Sequence, residues 1–324
     1  MIHILNWHCP QLFVIDMKSG KILLLILNLI TGTALGQQQL NKFHIIDAET
    51  NKAVPFVSVV ILRAKLSITT EKDGIFIIPG NLLAMRDTIV FQAQNYAPVK
   101  MSLPLLALSN NITLSKYKFD DVGPAQKYKR DTVINVIDKH EIDHYAGIDT
   151  ETSNFDYLQL AQQFEAPATG SRLRRIKVYR LAFNDAPGYT TQHTTYRLRF
   201  YDVDPITKGP GRDLIKDVIE ITDGENVQHG IGLSRYNIVI PHKTFFVAVE
   251  WLRSIANAGY SVLYDPKTKR NKQRDNYRPA IGIAPKTGKE LNIWGLNFKR
   301  QWQPYTYFMP FGTDLAMTAT LEYN

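Results

Sequence analysis

Apolar residues between positions 40 and 118 gather in short β-branched runs broken by turn residues, and no stretch there repeats at helical spacing. The runs at 43–46, 56–62, 75–78, 88–92, 99–103 and 111–114 predict strands, and their even spacing is an all-β signature. Pro55, Pro79, Pro98 and Pro104 stand at run edges, where a missing backbone donor is tolerated. Asp73-Gly74 lies between two such runs and predicts a tight turn joining a strand to a strand.

The pattern returns with longer runs from Ser153 to the last residue, at 158–164, 173–183, 195–203, 218–222, 236–240, 244–251, 280–283, 291–298, 305–308 and 315–323. Tyr196, Leu198 and Phe200 alternate with Thr195, Arg197, Arg199 and Tyr201, which predicts one face in a core and one in water. From Thr244 to Leu252 both faces are apolar, so a central strand covered on both sides is expected, with Trp251 in the core. Turn signals at Asp204-Pro205, Gly209-Pro210-Gly211, Asp223-Gly224, Asp265-Pro266 and Lys286-Thr287-Gly288 suit a β-sandwich of jelly-roll type. Between the two blocks, 119–152 is polar and reads as a linker. Within it Asp131 as N-cap, Val133, Val136 and Ile137 at helical spacing and Gly147 as a stop predict a short helix over 132–144.

The first 36 residues do not belong to this pattern. Lys18 and Lys21 precede an apolar run at 22–30, and Ala34-Leu35-Gly36 offers small residues where a signal peptidase reads, so 1–36 reads as a secretory signal, with Met17 the expected start and Gln37 the expected mature N-terminus. A membrane anchor is the competing reading, but the run falls well short of the roughly 20 residues needed to span a bilayer. Cys9, the only cysteine, lies in that segment, so the mature chain is held by packing alone, which fits a Gram-negative envelope. The formal charge of +8 would suit an acidic glycan or nucleic acid, and export argues against the second. The basic runs Arg172-Leu173-Arg174-Arg175-Ile176-Lys177 and 267–278 read as solvated strand faces and loops.

Family-grade detail is confined to 46–96. Ile46-Asp47, Glu49-Thr50, Ala53-Val54-Pro55-Phe56-Val57-Ser58-Val59, Thr70-Glu71-Lys72-Asp73-Gly74-Ile75-Phe76 and Asn95-Tyr96 occur in an order that resembles the carboxypeptidase regulatory-like domain. The resemblance implies a transthyretin-like or prealbumin-like β-sandwich that serves as an accessory scaffold without catalytic residues. The chain departs from the family's pattern at Lys42 and Phe43 and at Asn95, where glycine is usual. Further on, Arg197-Leu198-Arg199-Phe200-Tyr201-Asp202-Val203, Asp213-Leu214-Ile215, Tyr236-Asn237-Ile238 and Phe245-Phe246-Val247-Ala248-Val249-Glu250-Trp251 look similar to envelope proteins that carry such a domain at the N-terminus. The expected architecture is therefore all-β: a small prealbumin-like sandwich over 37–118, a linker over 119–152 and a larger jelly-roll-like sandwich over 153–324.

Two constellations carry candidate chemistry. His140-Glu141-Ile142-Asp143-His144 matches H-E-x-x-H; on a helix the histidines would sit one turn apart and hold zinc, with Glu141 as proton acceptor. Against it, Thr150 stands where a third histidine is needed, and Glu165 is a distant substitute; the competing reading is a solvated linker helix. The aromatic group Trp294, Trp302 and Tyr305, with Phe298, Tyr307 and Phe308 nearby, suits sugar stacking, the alternative being core. Asp202 and Asp204 before Pro205 leave calcium open as a ligand, although such turns are commonly only turns. His193, His229 and His242 read as surface or turn residues. The functional expectation is an exported, non-catalytic binding or structural module in the periplasm or on the surface of a Gram-negative cell, with outer-membrane association open. Its partner would be a glycan, an envelope protein or a second copy of itself, with no cofactor. The alternative is a zinc metallopeptidase.

Overall fold

The computed structural model describes residues 40–117, 127–149, 156–181, 193–223, 230–284, 290–309 and 311–324. The expected signal segment over 1–36, Thr150, His229 and the 286–288 turn lie outside the described residues.

The first sandwich is built of β1 (Leu40–Asp47), β2 (Ser58–Ile61), β3 (Leu66–Thr69), β4 (Ile75–Pro79), β5 (Thr88–Gln92), β6 (Val99–Ser102) and β7 (Asn111–Leu114), with single-turn helices α1 (Gly80–Leu83) and α2 (Leu103–Leu106). One sheet has the order β4-β1-β7, with β7 parallel to β1, and the other β3-β2-β5-β6. Alternate residues of each sheet meet between them: Phe43 stacks on Phe76 at 5.1 Å, and Ile45, Ile89, Phe91 and Leu114 are buried around that pair. The turn at Asp73-Gly74 joins strand to strand as expected but closes no hairpin. β3 pairs with β2 and β4 with β1, so the turn carries the chain from one sheet to the other. Gly74 makes the crossing possible, because it sits at φ +66° and a Cβ there would lie 2.8 Å from the Ile45 carbonyl oxygen and 2.9 Å from that of Val54. Gly74→Ala is expected to destabilise the protein by about 1–3 kcal/mol in urea unfolding, through backbone strain; an unchanged midpoint would contradict this crossing geometry.

The second sandwich starts earlier than 153, and this corrects the linker reading. β8 (Arg130–Ile134) and β9 (His144–Asp149) replace the expected helix over 132–144, and both are sheet members. Val133 and Val136 are exposed while Ile137 is buried, so their helical spacing marked no common face. The remaining strands are β10 (Gln159–Glu165), β11 (Ser171–Val178), β12 (Thr194–Val203), β13 (Pro210–Asp213), β14 (Ile219–Asp223), β15 (Gly230–Gly232), β16 (Ile238–Ile240), β17 (Thr244–Trp251), β18 (Ala258–Asp265), β19 (Arg270–Ala284), β20 (Ile293–Leu296), β21 (Trp302–Pro304), β22 (Asp314–Leu315) and β23 (Met317–Tyr323). The expected strand at 305–308 is a 3-10 turn, Thr306–Phe308.

A seven-stranded sheet runs β13-β12-β17-β10-β20-β21, with β14 also on β12. It faces a five-stranded sheet, β15-β11-β23-β8 with β16 on β11, and a four-stranded sheet, β18-β19-β22 with β9 on β19. The core between them holds Tyr196, Leu198, Phe200, Phe245, Val247, Val249 and Trp251 from one side and Leu173, Ile176, Ile281, Met317, Ala319 and Leu321 from the other. As the sequence predicts, β17 is central and covered on both faces.

Candidate functional site

The three aromatic candidates do not form one platform, because strand alternation sends them to opposite faces of the seven-stranded sheet. Trp294 is 9% exposed, donates Nε1 to Gln163 Oε1 (3.2 Å) and packs edge-on against Phe246. Trp302 is half-buried on that same face, edge-on to Tyr201 at 5.5 Å. Tyr305 turns inward across Gly295, where it meets Tyr157 and Phe308, both at 5.3 Å. These rings are core and seam.

The zinc reading loses its geometric premise in the same way. Lys139–Glu141 is a 3-10 turn capped by Asp138, whose Oδ1 accepts from the His140 N–H (2.9 Å), and the chain becomes strand at His144. His144 stacks on Phe311 at 4.1 Å and pairs Nδ1 with Asp143 Oδ1 at 2.5 Å. Glu165, the last residue of β10, accepts from Thr244 Oγ1 (2.7 Å). Among the described residues no group of three or more His, Cys, Asp or Glu side chains is placed to hold a metal. The calcium candidates serve local structure: Asp202 bonds His242 Nδ1 (2.8 Å), and Asp204 Oδ1 accepts from the N–H groups of Ile206 and Thr207 (2.9 and 2.7 Å). Those bonds hold the Asp204 carboxyl below its ordinary range.

The outer face of the seven-stranded sheet, expected in water, is roofed by the first sandwich. Val60 and Val90 pack there with Leu158 and Leu296, and Phe298 and Trp302 close over them. Arg197, 2% exposed, donates to the carbonyls of Phe56 (3.0 Å) and Pro55 (3.2 Å) with its guanidinium over the Phe56 ring. Thr69 and Arg253 exchange bonds, Thr69 N–H to the Arg253 carbonyl (3.2 Å) and Arg253 N–H to Thr69 Oγ1 (2.8 Å). Gln94 Nε2 reaches the Asp217 carbonyl at 2.6 Å.

Beside Arg197, Arg199 grips Asp213 with two bonds (2.6 and 3.2 Å) and Glu250 with one (3.2 Å). Burial opposes the charge on both ends of this cluster. The carboxylates nevertheless raise the Arg199 guanidinium above its usual range, and Arg199 and Arg197 lower the Glu250 carboxyl. A cleft of about 620 Å³ also opens between the sandwiches, walled by Val59, Ile61 and Ile78, with Asp156, Arg253 and Tyr277 at its polar side. Within it Arg253 and Asp156 are paired, Arg253 Nη2 donating to Asp156 Oδ1 (2.8 Å) and to the Tyr157 carbonyl (2.9 Å), and Lys65 also lines the cleft. The seam is a structural joint.

An exposed aromatic surface exists elsewhere, on a ribbon whose basic strand falls in the 267–278 run expected as solvated strand face and loop. β18 and β19 pair from Ala258 opposite Tyr277 to Asp265 opposite Arg270. Tyr260, Val262 and Tyr264 share one face, at 40%, 55% and 63% exposure, and the exposed residues directly across from them are Asp275, Gln273 and Asn271. The two tyrosines stand about 13 Å apart along the strand, at about 3.3 Å per residue. Two phenol rings flanked by two amides and a carboxylate on an exposed strand face can stack and hydrogen-bond at once. The opposite face carries Arg270, Lys272 and Arg274. The period-two alternation of Tyr260, Val262 and Tyr264 was the signal available in the sequence.

Fold and seam together define an all-β protein of two interlocked sandwiches. No protein family profile matches the chain, and no curated protein matches it. Among solved structures, it is similar to one provisionally described as a carbohydrate binding protein from Bacteroides uniformis ATCC 8492, at 11% identity and TM-score 0.20, over 77% of this chain and 100% of that one. It is also similar to the structure of infectious bursal disease virus Gx strain, at 10% identity and TM-score 0.18, over 87% of this chain and 59% of that one. Likeness at this level carries no functional argument.

Proposed function

We propose that the protein is an exported, non-catalytic binding module of a Gram-negative envelope, acting in the periplasm or at the cell surface, and that its partner is a glycan held on the ribbon. The observation that carries this reading is the exposed row Tyr260, Val262, Tyr264 with Asp275, Gln273 and Asn271 opposite. A pyranose presents an apolar C–H face and a rim of hydroxyls, and this surface offers rings for the first and amide or carboxylate groups for the second. The first sandwich is read as a carboxypeptidase regulatory-like domain serving as scaffold; its three- and four-stranded sheets support that assignment. The absence of a helix under the H-E-x-x-H residues favours this reading over a zinc peptidase.

Electrophoresis through gels containing laminarin, xylan, mannan or polygalacturonate tests it. At least one should retard the wild type, and Tyr260→Ala with Tyr264→Ala should weaken that retardation by about tenfold or more. The melting temperature should stay unchanged, because both residues are exposed. Free migration of the wild type in every gel, or undiminished retardation of the double variant, would refute the glycan surface.

A further inference from the structure

The ribbon is only two strands wide where it carries the tyrosines. β9 joins β19 from Asn276 onward, so from Tyr260 opposite Asp275 to Asp265 opposite Arg270 no third strand pairs with it among the described residues. A hairpin of that width is marginal in water, and an added strand stabilises it. Its two edges differ in chemistry. From Ala258 to Tyr264, β18 has no charged residue, no proline and no break in register with β19, so it lacks the devices that ordinarily block an edge. β19 carries Arg270, Lys272 and Arg274, and two copies meeting along that edge would set like charges side by side. The β18 sequence is also self-complementary. Tyr260 and Tyr264 stand two places either side of Val262, so an antiparallel second copy, turned about an axis through Val262, sets Tyr260 opposite the partner's Tyr264 and Val262 opposite the partner's Val262. Opposed residues share a face in an antiparallel pair, and the rings therefore meet as aromatic cross-strand pairs, while Asp265 falls opposite a glycine, Gly259, and no like charge.

We infer that the protein forms a two-fold dimer in which β18 pairs with β18 of a second copy, the register centred on Val262. The two basic β19 strands then lie three strand spacings apart, about 14 Å, beyond the screening length of about 8 Å at physiological ionic strength. One strand pair buries less surface than a permanent dimer needs, so the dimer exchanges with monomer at micromolar concentration. The pairing does not rest on the glycan reading. It leaves the faces of both tyrosine rows open, and under that reading the second copy doubles the platform.

Sedimentation velocity of the purified protein, with no polysaccharide present, should show the mean mass rising from one chain towards two between about 1 and about 200 µM. Val262→Lys sets two cations on the axis and should weaken the dimer by about tenfold or more. Its melting temperature at low concentration should stay unchanged, because Val262 is exposed. The register is read by cysteine cross-linking in a Cys9→Ser background, Cys9 being the only natural cysteine. The Val262→Cys variant presents its thiol to its own copy across the axis and should oxidise to a disulfide-linked dimer. In Tyr260→Cys the two thiols stand four residues apart along the strands, about 13 Å, whereas a disulfide needs Cα atoms within about 7 Å. That variant should not cross-link, and adding Tyr264→Cys should restore the link. A monomer at every concentration, with no cross-link in Val262→Cys, would overturn the inference and leave the glycan reading untouched. A dimer that Val262→Lys leaves intact, or one that Tyr260→Cys alone links as fast as Val262→Cys, would put the interface elsewhere and overturn it equally.

Discussion

Arg199→Met is expected to lower the stability of the protein by about 3–5 kcal/mol, the usual consequence of removing one partner from a buried ion pair. Arg199 and Glu250 are 2% and 7% exposed, and the arginine also holds Asp213. Without the guanidinium, Glu250 stays behind in a low-dielectric layer between a sheet and its roof, with Arg197 to oppose it only at longer range. Its carboxyl should then move upward from its depressed value, since burial is the largest influence on it and would lose its main opponent. Adding Glu250→Leu should recover much of the loss, because the stranded charge is what costs most. Urea unfolding of the three variants measures this, and a loss under about 1 kcal/mol for Arg199→Met would mean the cluster is wet.

Asp47→Ala is the second large effect, expected at about 3 kcal/mol because several hydrogen bonds to one buried charge go together. Asp47 is 3% exposed; its Oδ1 accepts from the N–H groups of Glu49 and Thr50 (2.9 and 2.8 Å), and its Oδ2 accepts from the Tyr96 hydroxyl (2.7 Å) and Lys116 (3.0 Å). The Tyr96 and Lys116 bonds, with the Thr50 backbone, hold the carboxyl well below its ordinary range, while burial and the same carboxylate raise the Tyr96 phenol. A depressed folded pKa contributes stability that is complete above the unfolded value of about 3.9 and is lost as pH falls towards the folded value. The gap between wild type and Asp47→Ala should therefore be wide at neutral pH and narrow progressively below about pH 4. A gap independent of pH would assign the effect to packing.

What the sequence revealed of the fold follows from which forces are local. Strands β5 and β17 could be read to their ends, because each is bounded by turn residues and its apolar positions fill a core directly above or below. Arg197 and Arg199 were read as wet, since alternation reports that two faces differ and not what covers the second; the cover is a separate sandwich more than a hundred residues upstream. β8 was hidden because its register is set by β23, nearly two hundred residues on, and its exposed Val133 sits at a spacing that imitates a helix. The ribbon escaped notice for a compositional reason: the half of β19 opposite the tyrosines is polar throughout, so no apolar run announces it. Trp294, Trp302 and Tyr305 stand close along the chain, but in a strand a single residue step separates inward from outward, and proximity in sequence does not keep rings on one side of a sheet.

The hydrogen bonds of the joint between the sandwiches, as distinct from its apolar packing, end largely on main chain: Arg197 on the carbonyls of Pro55 and Phe56, Gln94 on that of Asp217, and Thr69 on that of Arg253. Carbonyl oxygens are common to all residues, so what each half reads in the other is a path through space and hardly its lettering. Point changes along the contacted loops are consequently cheap in evolutionary terms, and these loops are free to diverge. A one-residue insertion or deletion is different, because it slides the whole rail and uncouples several contacts in one step. Across relatives of this chain, the constant quantity at the joint should be loop length.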